Sequence, residues 1–218
     1  MGSGIFSIEM TREQLELRLL CAQAGVEWEK VERGTLTDAE WLLFTNAAAK
    51  FSKAAQIYID DTPSLTTRQL LVESRRLVDK HGVALIVVDY LQIMGADRRY
   101  ENQNVQYEDM SQQFLSISKQ VGVPLIVLSQ LTKNTTNTPL IKMRCQQRLD
   151  MLRGSGGIGQ AASRVMFVYY DETESAWLQD KTRTGTGRTG SIPMVFEGGC
   201  WDVAELNKNP DDYGPLPI

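Results

Sequence analysis

Apolar residues along this chain follow two patterns, and each predicts a kind of element. Continuous apolar runs occur at ALIVVDY (84–90) and PLIVLSQ (124–130), IFSIEM (5–10) reads as a buried strand, and QIYID (56–60) is a further strand broken by Asp61, Thr62 and Pro63. Strands that run apolar without alternation are those covered on both faces, as in a parallel sheet flanked by helices. Between them lie helical signals. Thr11 with Gln14 forms a capping-box pair that predicts a helix over 12–24 ending at Gly25, and Thr37 with Glu40 opens another to about Lys53. Leu65, Leu70, Leu71, Leu77 and Val78 recur at helical spacing, which predicts an amphipathic helix over 66–81 closing at His81-Gly82, and a fourth helix is expected over 105–120. The fold class is α/β. A long polar stretch from Gln130 to Arg164 reads as loop, followed by sequential strands RVMFVYY (164–170), AWLQDKTR (176–183) and SIPMVFE (191–197). Residues 1–4, Met-Gly-Ser-Gly, read as a tag or linker, so the fold is expected over 5–206, with an irregular tail carrying three prolines over 207–218.

Composition narrows the function classes. With 218 residues and 42% apolar content the chain can bury a substantial core, and one large domain is the expectation. Its 27 acidic and 23 basic residues give a net charge of −4, which excludes a protein that holds polyanions by bulk charge, so any nucleic-acid contact is local. Cys21, Cys145 and Cys200 have neither disulfide-framework nor zinc spacing, and a reducing cytoplasm is the expected setting. No run approaches the roughly 20 apolar residues of a membrane helix, so no membrane partner is expected.

Against that background a few residues carry candidate chemistry. Asp89 ends an apolar strand, where open α/β sheets bind ligands, and a carboxylate there can hold Mg²⁺ through its water shell; a helix cap or loop anchor is the alternative. Gln130 ends the neighbouring run, where an amide can sense a γ-phosphate by hydrogen bonding or serve as an ordinary polar strand terminus. Residues 131–164 hold Lys133, Lys142, Arg144, Arg148, Arg153 and Arg164 against Asp150, a local balance of +5 that suits phosphate contacts to single-stranded DNA or a solvated loop. Lys181 and Arg183, two apart on a predicted strand, point to one face. The glycine strings at 154–159 and 185–190 match G-x-G-x-x-G, but the first follows a polar, charged segment and the second precedes a strand, so neither reads as a dinucleotide site.

The strings FSIEM, IYIDDTPSLT, LIVVDYLQIM and VPLIVLSQL occur in that order with helices between them. Together they resemble the successive motifs of the DnaB-type replicative helicase motor domain, over about residues 5–200. The resemblance implies a RecA-like P-loop NTPase core that unwinds duplex DNA by translocating on single strands during replication, with ATP and Mg²⁺ as cofactors. It further implies a ring hexamer, with a primase and a helicase loader as partners. By this resemblance Glu9 is the catalytic base that polarises the attacking water, Asp89 the magnesium-positioning acid, and Gln130 the link between nucleotide state and DNA. Lys181 and Arg183 become the pair reaching a neighbouring subunit's nucleotide, and LRGSG (152–156) the DNA-backbone loop, with Arg153, Gly154 and Gly156 on phosphates. Lys133, Lys142 and Arg144 join them, as do Arg98 and Arg99 in the loop after Asp89. Read without it, Glu9 is a helix N-terminal acid, Lys181 and Arg183 a solvated basic face, and Arg98 and Arg99 surface charge.

One motif is missing. A phosphate-binding loop needs G-x-x-x-x-G-K-[ST], and Gly-Lys occurs nowhere in these 218 residues. In the family that loop and its strand come just before the equivalent of FSIEM, with the strand inside the sheet. Residues 152–163 also carry Gly, Ala or Ser where the family has acids. The chain by itself is therefore expected to bind ATP poorly and hydrolyse it negligibly. Two further readings stand beside an incomplete motor domain: a non-catalytic DnaB-like DNA-binding or assembly module, and another RecA-like ATPase such as a recombinase.

Overall fold

A computed structural model describes residues 2–54, 56–132, 138–152, 156–170, 175–182, 190–197 and 200–203. The elements run β1 (Gly2–Ser7), α1 (Arg12–Ala24), α2 (Trp28–Arg33), α3 (Asp38–Ala54), β2 (Ile57–Asp60), α4 (Thr67–His81), β3 (Val83–Asp89), α5 (Gln103–Val121) and β4 (Leu125–Val127). They continue with α6 (Cys145–Asp150), α7 (Gly156–Ala161), β5 (Arg164–Tyr170), β6 (Ser175–Thr182), β7 (Gly190–Glu197) and β8 (Cys200–Val203). The chain divides into two compact units, one of residues 1–99, 116–129 and 196–200, the other of 100–115, 130–195 and 201–218.

The first unit is built on a parallel sheet in the order β2-β1-β3-β4. Strand β1 pairs along its whole length with β3, up to Ser7 opposite Asp89, and with β2 on its other side. Helix α4 packs on β1 and β3 through Leu70 and Leu77, while Phe6, Ile86 and Val88 are closed off from solvent. The Thr11 cap that the sequence announces is formed, its hydroxyl accepting from the Gln14 N–H while the Gln14 side chain accepts in return, and Thr66 with Gln69 makes the same box ahead of α4. Glu40 plays the same part for Thr37 and also takes an ion pair from Lys30 at 2.7 Å.

The second unit carries an antiparallel sheet in the order β5-β6-β7-β8. Along β5 exposure alternates strictly, Val165, Phe167 and Tyr169 inward and Met166, Val168 and Tyr170 outward, as one solvated face requires. The inward residues, with Leu152, Ala176 and Leu178, form an apolar cluster on which Leu140, Leu149 and Ile158 pack.

Three expectations change. Residues 2–4 are not a linker: Gly2, Ser3 and Gly4 are the first half of β1, Ser3 and Gly4 paired on both sides, and a Cβ on Gly4 would stand 2.8 Å from Leu77 and 2.9 Å from Ile86. Gly-Ser-Gly looks like spacer because it lacks apolar signal, yet here glycine is what lets α4 approach the sheet. The polar stretch after Gln130 is not all loop, since α6 and α7 lie within it as single short helices too brief to show periodicity. Strand β4 is shorter than its apolar run and ends the sheet, leaving Ile126 and Leu128 41% and 45% exposed.

Candidate functional site

Strands β1 and β3 run parallel in register, so their C-terminal ends lie on one edge of the sheet, where helix-flanked parallel sheets gather ligand-binding groups. Asp89 is the last residue of β3. Beyond β1 the chain turns at once: the Ile8 N–H donates to the Asp89 carbonyl at 2.9 Å, and the buried Ser7 hydroxyl donates to the Met10 carbonyl at 2.9 Å. That turn carries Glu9 and delivers α1. The two acids are close enough to feel one another: burial, and then the charge of Glu9, push the Asp89 carboxyl above the usual aspartate range. A raised carboxyl beside a second acid is an arrangement that a divalent cation relieves, so the donor set fits Mg²⁺ held through water. Among the described residues no cluster of three or more His, Cys, Asp or Glu gathers to grip a metal directly.

Two loops at this edge are fastened to each other. The Gly95 N–H donates to the Leu65 carbonyl at 3.0 Å, at a point where any Cβ would collide with the Ser64 carbonyl. Thr67, 2% exposed, donates its hydroxyl to the Asp97 carboxylate. These contacts hold the loop bearing Arg98 and Arg99, both exposed. On the far side of β3, the Leu91 N–H donates to the Leu128 carbonyl at 3.0 Å and the Gln92 amide donates to the Ser129 hydroxyl at 2.9 Å, tying the tip of β3 to the segment leaving β4. At the β2 end, Arg12 donates its side chain to the Ile59 carbonyl and its N–H to the Asp61 carboxylate. Sequence reading missed Ser7, Gly95, Thr67 and Asp97; the only advance signal was the run of turn residues around Pro63 and Gly95.

The remaining candidates belong to the second unit. Gln130 is exposed just beyond β4. Lys142 and Arg144 are exposed, the latter capping α6 with its N–H donating to the Gln147 side chain at 2.9 Å. Gly156 begins α7. The Lys181 ammonium donates to the Gly159 and Gln160 carbonyls. Lys133, Arg153, Gly154 and Arg183 lie outside the described residues, as does most of the glycine string at 185–190. Arg148 departs from the basic set in which the sequence placed it: it is buried, its guanidinium in an ion pair with Asp180, and so does not face solvent.

Comparison with known proteins agrees with the motif order. A family profile described as "DnaB-like helicase C terminal domain" matches residues 1–203. The chain is 32% identical over 223 residues to the replicative DNA helicase DnaC of Bacillus subtilis (strain 168), covering 98% of this chain and 48% of that protein. It is 37% identical over 214 residues to the replicative DNA helicase DnaB of Geobacillus stearothermophilus, covering 94% and 44%. The chain therefore spans about half the length of these relatives. Two solved structures share its fold. One, an ATPase domain, superposes with a TM-score of 0.80 at 22% identity over 94% of this chain and 75% of that one. The other, a DnaB-like replicative helicase studied with its interactions with primase, gives 0.78 at 22% over 92% and 51%.

Proposed function

The chain belongs to the DnaB-like helicase C-terminal domain family, and on that premise we propose that it works as the RecA-like motor domain of a replicative DNA helicase, an ATP-driven translocase on single-stranded DNA. The observation that carries this reading is the pairing of Glu9 and Asp89 on one edge of a parallel sheet, each delivered by its own strand, with the Asp89 carboxyl raised by burial and by Glu9. Bound Mg·ATP supplies the phosphoryl group to be transferred. In this reading Asp89 would hold the cation, and the Glu9 carboxylate would accept a proton from the attacking water. Gln130 relays the state of the nucleotide to the DNA-facing segment. Lys181 and Arg183 serve a neighbouring subunit's nucleotide in a ring hexamer. Arg98, Arg99, Lys133, Lys142, Arg144 and Arg153, with the amides of Gly154 and Gly156, contact phosphates. A primase, a loader and a cytoplasmic setting complete the picture; no helix among the described residues is long and apolar enough to cross a membrane.

The acidic half of the nucleotide site fits the cofactor, but the phosphate cradle does not lie in these 218 residues. The parallel sheet stops at β4, and among the described residues no segment occupies that strand's other edge, which favours a motor that a further strand completes. A second reading, a DNA-binding or assembly module without nucleotide chemistry, is favoured by the missing Gly-Lys alone. The test is ATP turnover by the 218-residue chain with poly(dT) present, together with the DNA sequence 5′ of the Met1 codon. Negligible turnover with an in-frame phosphate loop upstream supports the motor, and a natural start at Met1 supports the second reading. Turnover abolished by Glu9→Gln would overturn the expectation that the cradle lies elsewhere.

A further inference from the structure

Of the basic residues over 131–164, Lys142, Arg144 and Arg164 are exposed, as a solvated or DNA-facing role requires, and Arg148 is buried. Its side chain is 6% exposed and that of Asp180 is fully buried. The guanidinium grips Asp180 with two nitrogens, Nε on Oδ2 and Nη2 on Oδ1, in the forked geometry that only arginine offers a carboxylate. Its remaining nitrogen, Nη1, donates to the Met143 carbonyl at 2.5 Å and the Leu140 carbonyl at 3.0 Å. One side chain thus gathers the backbone of 140–143, its own helix α6 and strand β6. The Cys145 thiol adds a bond to the Asp180 carbonyl at 2.9 Å.

The next residue of β6 does the equivalent on the other flank. The Lys181 ammonium donates to the Gly159 and Gln160 carbonyls in the last turn of α7, where a helix presents its negative end. Asp180 and Lys181, adjacent in sequence, therefore fasten the helices that precede and follow LRGSG (152–156) to the same strand, two residues before Arg183. Apolar side chains filled into the neighbouring cluster would pack such a segment at no desolvation cost, so the buried fork adds a fixed geometry that packing alone does not impose.

We infer that Arg148 and Asp180 are positioning residues that lock the 140–152 segment to β6, so that the exposed Lys142 and Arg144 on that segment engage single-stranded DNA in one geometry. The inference rests on the reading that this segment contacts DNA, and its test separates the two. The 218-residue chain and its variants are titrated with fluorescein-labelled dT20 by anisotropy at a temperature well below melting, and backbone amide exchange is followed over 140–152. Arg148→Met is expected to speed exchange there and weaken dT20 binding at least tenfold. The double variant R148M/D180L, which fills the site without charge, is expected to melt like the parent but not to recover the affinity. K142A/R144A should weaken binding with exchange unchanged and lower the salt slope by roughly 0.7 for each phosphate no longer neutralised. Unchanged exchange in Arg148→Met, or full recovery of affinity in R148M/D180L, overturns the positioning role. If the parent chain shows no salt-dependent binding to dT20, the DNA reading fails and takes the coupling with it, while the exchange data still decide whether the pair locks the segment.

Discussion

The two units of this chain solve the problem of a buried sheet in opposite ways. In the parallel sheet the inner strands β1 and β3 are flanked by strands on both sides and their tips hold acids, Glu9 and Asp89. The antiparallel sheet buries one face only, and it devotes a buried cation to binding its own segments: the Arg148 guanidinium joins Asp180 and the Leu140 and Met143 carbonyls inside the unit. One unit brings two like charges together at its rim, and the other pairs its buried charges, Arg148 with Asp180. The lesson is that a count of basic residues cannot locate a phosphate-binding surface until burial has removed those engaged in structure.

Substitutions that strike one unit at a time sharpen this contrast. The largest effect is expected from Arg148→Met, which strands the buried Asp180 carboxylate and should cost the second unit ~3–5 kcal/mol, read by chemical denaturation with amide exchange resolving the two units. An equal loss of protection in β1 and β3 would break the contrast. Next comes Gly4→Val, whose methyl groups press on Leu77 and Ile86; overpacking there should cost about 1–3 kcal/mol, confined to the first unit. Thr66→Ala removes the cap of α4 and should cost about 1 kcal/mol in the same measurement.

The smallest effects are those of pH, and their signs differ. Asp89 has a folded value above the ordinary aspartate 3.8, so the folded chain loses stability as pH rises through that window. Asp89→Asn should therefore raise the melting temperature at pH 7 and leave it unchanged at pH 3; a drop at pH 7 would mean that Asp89 is held by a favourable partner instead. Glu40 behaves in the opposite sense. Lys30, with the Thr37 cap, holds it at about 2, so its contribution is present above 4.5 and fades as pH falls toward about 2. Glu40→Gln should flatten the acid limb of the melting profile between those values, with little change at neutral pH.

Much of this architecture was legible in the amino-acid sequence because its signals are local. The Thr11 capping box, the Thr37–Glu40 pair and the LIVVD run each specify an element within a few residues, and register between β1 and β3 then places Glu9 beside Asp89. What escaped reading depends on distant partners. The fork of Arg148 on Asp180 joins residues 32 apart, and the Thr67–Asp97 bond joins residues 30 apart. Neither has a period or a motif. Gly4 escaped for a different reason: a residue without a side chain leaves no mark in a hydrophobic pattern, although its lack of one is what α4 requires.

The placement of β1 also has a practical side. Since Gly2 opens an inner strand between β2 and β3, the chain enters that strand at the rim opposite Glu9 and Asp89. Six residues of strand separate the two rims, about 20 Å at the usual rise. A dye on that rim would sit far enough from the acids to leave them undisturbed.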